Sequence, residues 1–289
     1  MLSAVFVQAA AGALQLTVDK KSNDFGKPGT NWQVFSFRTF QACAVPLLLA
    51  AGIVAAPDGW EALLTPANLA LLALSMTLMY ASYPLRLGAY RNEKVTVLQP
   101  FAMARPVFTV ILGFAFVASE RANPWPFVFA LLALAVIIGS QLKGGRLVFN
   151  RWSLMLAAAG LLGACQTFIT VGFIRLLGGP AYYVAETAAL LLISASALTV
   201  SRGWGGIAQV KRPWFALNAA NGALGTLGVL ILFEIYRTAG IVTGALAQLL
   251  FVAFVFVFSM SILRERPTFK DVAVSAAVAA CVAAGVLMK

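Results

Sequence analysis

Histidine is absent from this chain, charged residues make up only 11% of it, and acids number 10 against 21 lysines and arginines. Losing histidine removes the commonest proton shuttle and metal ligand. Soluble domains carry about 25% charged residues. A chain this poor in charge, and 61% apolar, lacks the polar surface to cover a globule in water. Cys43, Cys165 and Cys281 are the only cysteines. Each sits inside an apolar run, and they read as small core residues, not a disulfide framework or metal site. Paired carboxylates at catalytic spacing, a nucleophile elbow and a nucleotide-binding motif are also missing, which argues against an enzyme and an ATP-driven pump. Gly203, Gly205 and Gly206 surround Trp204, but no lysine-serine or lysine-threonine pair follows to make a phosphate loop. No ring of like charge or filter-like loop points to a channel. No cofactor is expected. No basic leader with a cleavage site opens the chain, so the first apolar run is expected to be retained.

What the chain does have is apolar length. Mean hydropathy is +0.88, and the apolar residues form continuous runs, not the alternation of a β-barrel. The expectation is an all-α integral membrane protein. About 20 apolar residues span a bilayer as helix, and ten segments qualify: 1–19, 32–56, 67–88, 95–118, 124–142, 152–177, 181–201, 214–236, 241–263 and 268–288. Asp19 to Asn31 reads as a plain loop. Trp32, Trp60, Trp125, Trp152, Trp204 and Trp214 fall at or near segment ends, the headgroup level that tryptophan favours.

The second half repeats the first. Tyr90-Arg91 recurs as Tyr236-Arg237, Val95 as Ile241 and Gly139 as Gly285, all at one spacing. Glu120-Arg121 returns as Glu265-Arg266 one residue out of register, and Gly12-Ala13-Leu14-Gln15 reappears as Gly163-Ala164-Cys165-Gln166. The division is 1–145 and 146–289. Five helices per half is an odd number, so the halves enter the membrane with opposite topology, the 5+5 inverted repeat of many transporters. Ten helices in one chain complete the pair, so a monomer suffices, with dimerisation left open.

The net charge of +11 sits in short connections, as topology signals do, and not on a nucleic-acid-binding face. Lys20, Lys21, Lys27, Arg86, Arg91, Lys94, Lys143, Arg146, Arg151, Arg202, Lys211, Arg212, Arg264, Arg266 and Lys270 fall on one side; Arg121, Arg175, Arg237 and Lys289 fall on the other. The basic side is expected to be cytoplasmic, in a bacterial-type inner membrane, with both termini outside.

Pro106-Val107-Phe108 opens an apolar run that closes on Glu120-Arg121, and a fifth helix follows with a late glycine, Gly139. This pattern, in five helices repeated as an inverted pair, resembles the drug/metabolite transporter superfamily, specifically its EamA-like members. The second half keeps Glu265-Arg266 and Gly285 but has Val252 where the proline would fall, and Arg38 sits where such proteins often carry an arginine. The resemblance implies a basket of two halves around a cavity open to one side at a time, moving amino acids, nucleobases, sugars or other small metabolites, with some members carrying drugs or lipid-linked sugars. It also implies both termini in the cytoplasm, opposite to the charge bias. The reading is a secondary transporter, expected to be an exporter, of a small metabolite or amino-acid-like solute, with a coupling proton as one option; the alternative is a flippase of a lipid-linked sugar or lipid.

Polar residues inside the membrane are the site candidates, because they are costly there unless they meet a partner, a cavity or a ligand. Glu186 in the seventh helix is a candidate for binding an amine or taking up a coupling proton. Arg38, in the counterpart second helix, is expected across the cavity from it as an anion holder; snorkelling or helix capping would account for either. Arg105 precedes Pro106, whose missing N–H frees a carbonyl one turn earlier; it either binds an anion or satisfies that carbonyl. Gln15 and Gln166 occupy matched positions, as site residues or as interhelical glue. Tyr80 and Tyr83 share one face of the third helix, and Asn218 and Asn221 one face of the eighth; together they would suit an amphipathic solute, or else be an interfacial pair and two amides near a helix start. Glu234 reads as a local ion pair with Arg237. Gly222, Gly225 and Gly228 form a close-packing strip.

Overall fold

The computed structural model describes residues 2–52, 60–116, 124–140, 142–143, 146–147, 150–248 and 250–288. In chain order these form α1 (Leu2–Ser22), α2 (Thr30–Ala42), α3 (Val45–Ala50), α4 (Trp60–Leu63), α5 (Pro66–Asn92), α6 (Val95–Ala102), α7 (Ala104–Phe116) and α8 (Trp125–Gly139). After a two-residue antiparallel ladder, β1 (Leu142–Lys143) on β2 (Arg146–Leu147), come α9 (Arg151–Leu177), α10 (Gly179–Val200), α11 (Arg212–Ala247), α12 (Leu250–Phe258) and α13 (Phe269–Leu287).

Local chemistry sets many of these boundaries. Pro66 occupies the first turn of α5, and the Thr65 hydroxyl accepts from Asn68 N–H at 3.4 Å. The Asn150 side chain accepts from Trp152 N–H at 3.0 Å to start α9, which stops at Gly178, whose φ of 80° suits glycine. Thr268 and Asp271 cap α13 reciprocally, each side chain accepting from the other's N–H.

Several segments differ from expectation. α1 continues to Ser22, because the Lys20 ammonium donates to the carbonyls of Tyr90 and Glu93 at the end of α5, the negative end of that helix; the loop after it is correspondingly short. Segment 32–56 is broken between α2 and α3 ahead of Pro46, and its residues 53–56 lie outside the described residues. Segment 95–118 is broken at Met103, because Pro106 has no N–H to offer the Ala102 carbonyl. Segments 214–236 and 241–263 meet inside α11 at Gly240, whose φ of 84° and ψ of 173° break the helix where the boundary is expected, and the second segment is interrupted again between Ala247 and Leu250. Glu120-Arg121 lies outside the described residues.

Among the described residues, five stretches are long and apolar enough to cross a membrane: Pro66–Asn92, Val95–Phe116, Arg151–Leu177, Gly179–Val200 and Arg212–Thr238. Large apolar side chains such as Leu69, Leu74, Leu132, Leu161 and Leu192 face outward on them and on α8. Water would not tolerate that coat and lipid requires it. The chain is an all-α membrane protein.

α1 packs along α11 and α12, and α9 packs along α5 and α7; α2 packs on α10 and α8 on α13. Glycines permit the closest of these approaches. A Cβ at Gly222 would stand 2.6 Å from Phe40 Cβ, and one at Gly225 would stand 2.8 Å from the Phe37 ring, so the glycine strip of α11 is where α2 lies. The basic connections gather at one end of the bundle. Lys211 N–H donates to Phe25 C=O, Trp32 Nε1 donates to Trp204 C=O, Lys270 reaches Ser140 C=O, and Asn150 reaches Glu93. Glu265 accepts from the N–H groups of Val95 and Thr96 at 3.1 and 3.0 Å, capping α6.

Candidate functional site

A cavity of about 230 Å³ opens among α1, α2, α5, α9, α11, α12 and the α6–α7 break. Its outer wall is Asp19, Gln33, Arg86 and Tyr90, all within a few turns of the basic end, and it reaches inward to Gln8, Gln15, Arg105, Leu232 and Gln248. Apolar walls come from Val34, Phe37, Leu87, Leu156, Phe251 and Val252. Both sequence halves contribute.

The opposite end is packed shut with aromatic rings. Phe173 stacks on Tyr182 with centroids 5.5 Å apart and planes 5° apart, and Phe233 lies 5.5 Å from Tyr182 on the other side. Leu177, Tyr183, Tyr236 and Ile241 belong to the same buried cluster, near Gly178 and Gly240.

Of the nine candidate residues, Gln15, Tyr83, Arg105 and Asn221 line the cavity. Arg38 and Glu186 do not. Expected on opposite sides of it, they instead meet at 3.6 Å, with 1% and 2% of their surfaces exposed. The physical reason is that α2 packs directly on α10, so no cavity separates them. Arg38 also donates to Gln41 Oε1 at 2.7 Å and to Tyr83 O–H at 2.6 Å, which links the buried pair to the cavity wall. Gln166 lies behind the wall, accepting from Arg105 at 3.4 Å and donating to Thr170 at 2.5 Å; Thr170 is 3.1 Å from Tyr182 O–H, and Tyr182 is 3.4 Å from Ser75. A polar chain thus runs from the cavity floor into the aromatic cluster. Tyr80 points away and donates to Asn31 at 2.6 Å, while Asn218 is fully buried and donates to Trp214 C=O at 3.0 Å. Neither lines the cavity. Glu234 and Arg237 form an exposed pair at 2.6 Å.

No family model matches the chain, and no curated protein matches it. One crystal structure of a protein superposes with a TM-score of 0.66 over 99% of this chain and 96% of its own, at 16% identity. That likeness is one of fold alone.

Asp19, with Gln8, Gln33 and Gln248, lines the cavity without being among the nine candidates; it sits where the first apolar run ends, so hydropathy marks it as a boundary. Its Oδ1 accepts from Gln33 at 2.6 Å and from Asn221 at 3.3 Å, with Arg86 and Arg91 within electrostatic reach. The signal was present: Gln8, Gly12, Gln15 and Asp19 recur at helical spacing and make one polar stripe along α1. Arg91 donates to Gln33 Oε1 and to Pro28 C=O.

Proposed function

We propose that this chain is a secondary transporter that moves a small metabolite or amino-acid-like solute by alternating access, with ten spans arranged as a 5+5 inverted repeat of the EamA-like kind. The observation that carries this reading is the cavity itself. It is built from both sequence halves, its lining extends to Asp19, Arg86 and Tyr90 near the basic end, and a buried aromatic cluster lies at the other end of the bundle; on this reading the basic end is where it opens.

Pseudo-symmetry in the packing supports the repeat. Exchanging each helix for its counterpart maps α1 on α11 to α9 on α5, and α7 on α9 to α12 on α1, while α2 on α10 and α8 on α13 map to themselves. The breaks correspond too: α7 starts at Ala104 and α12 at Leu250, as far apart in sequence as Tyr90 and Tyr236. With the basic end in the cytoplasm, the cavity faces inward and both termini lie outside. Of the two carboxylates, Asp19 stands on the wall and Glu186 behind it; a coupling proton entering from the basic end meets Asp19 first. A cavity of about 230 Å³ falls below the usual range of ligand sites, roughly 300–1,000 Å³, which favours a small solute over a lipid-linked sugar.

The test is counterflow. Proteoliposomes preloaded with a metabolite mixture are expected to accumulate at least one labelled solute transiently and saturably. Flux that stays linear with concentration, or no exchange of any solute, would remove the reading.

A further inference from the structure

The two halves of the cavity wall are related in position and opposite in chemistry. Phe251 occupies the position of Arg105 when the halves are aligned on Tyr90 and Tyr236. Each lies across a glycine of the crossing helix. A Cβ at Gly163 would stand 3.1 Å from Arg105 Cδ and Nε, and one at Gly12 would stand 3.3 Å from the Phe251 ring. Those glycines are themselves counterparts in the repeat. The same geometry therefore presents a guanidinium from one half and an apolar ring from the other.

Among the described residues, no carboxylate forms an ion pair with the guanidinium. Arg105 donates to Thr167 Oγ1 at 3.1 Å and Gln166 Oε1 at 3.4 Å, both neutral, and its buried Nε has no partner. Glu186 is within electrostatic reach of Arg105, but its ion pair is with Arg38, so one carboxylate serves two arginines. Asp19, on the cavity wall, is within electrostatic reach of both Arg86 and Arg91. The lining thus carries Arg86 and Arg105 against Asp19 alone. A cation held in a bundle interior by neutral partners is costly, and an incoming anion offsets that cost. The planar guanidinium edge matches a carboxylate in particular.

We propose that the occupant is a small monocarboxylate with an apolar or aromatic body, its carboxylate on the part of the Arg105 guanidinium that lines the cavity and its body against Phe251, Phe37 and Val252. This rests on reading the cavity as the transport site and names the class of solute.

The experiment measures binding of three probes to the purified full-length protein: phenylacetate, its neutral amide phenylacetamide, and acetate. Phenylacetate is expected to bind about tenfold or more tightly than either, since the amide forfeits the charge-assisted hydrogen bonds and acetate forfeits the buried ring. Arg105→Gln should abolish the preference for acid over amide, and Phe251→Ala the preference for phenylacetate over acetate. Gly163→Ala, which displaces the guanidinium without removing it, should weaken phenylacetate as well, so the outcome does not hang on one variant folding. Equal binding of acid and amide, or no binding of any probe, overturns the proposal. So does stabilisation by added phosphatidylglycerol that is lost in Arg105→Gln, which would assign the guanidinium to a lipid phosphate. Counterflow of a neutral solute by the same preparation would leave the transport reading intact while removing the carboxylate.

Discussion

Arg38→Ala is expected to destabilise the protein by about 3–5 kcal/mol, the usual cost of stranding one member of a buried ion pair. Arg38 and Glu186 are 1% and 2% exposed and 3.6 Å apart, between helices that pack directly on each other. Removing the guanidinium leaves a carboxylate with no water to solvate it. It also strips donors from Gln41 Oε1 and from the Tyr83 hydroxyl. Replacing both members, as in Arg38→Met with Glu186→Leu, should recover most of the loss, because the pair itself carries a large desolvation cost. Unfolding of the purified protein in mixed micelles reads the difference directly. A single variant within about 1 kcal/mol of the parent, set against the cost of a buried unpaired charge, would mean that water reaches Glu186 and that the pair belongs to the cavity after all.

Gln15→Trp is expected to abolish most transport without unfolding the protein. Gln15 is half-buried and lines the cavity from the middle of α1. An indole there projects into a space of about 230 Å³. Overpacking a bound solute by about 1–3 kcal/mol weakens it roughly tenfold to a hundredfold. Gln15→Ala, which enlarges the same space, should cost far less. The pair of variants in counterflow, with thermal melting as the folding control, separates blockage from damage. Normal exchange by Gln15→Trp would show that the solute does not pass through this cavity.

Which features were legible in the sequence follows from what a one-dimensional pattern can carry. Membrane character was plain, because composition alone decides it. The freed carbonyl ahead of Pro106 was legible too, but that it divides segment 95–118 into α6 and α7 was not. The contact of Gly222 and Gly225 with Phe40 and Phe37 followed the spacing of a small-residue strip. Arg38 and Glu186 were harder. Sequence places each at a depth along its helix, but which way the two point depends on how α2 and α10 pack, and that packing closed the space expected between them. Tyr80 and Tyr83 share a helix face, yet Tyr83 reaches the cavity while Tyr80 turns to Asn31. Three residues of spacing leave about 60° between two side chains, enough to put them in different surroundings. Asp19 was missed for another reason. Its charge marked it as a boundary, and only the stripe through Gln8, Gly12 and Gln15 shows it to be a wall residue.

The most direct measurement is the accessibility of Ser82→Cys, on the α5 wall of the cavity, in a chain whose Cys43, Cys165 and Cys281 are replaced by serine. A membrane-impermeant thiol reagent is applied to vesicles of each orientation. Alternating access predicts rapid labelling from the cytoplasmic face and little from the outer face at rest, with the balance shifting as transported solute is added outside. Equal labelling from both faces at once, whatever the solute, would describe an open channel and contradict it.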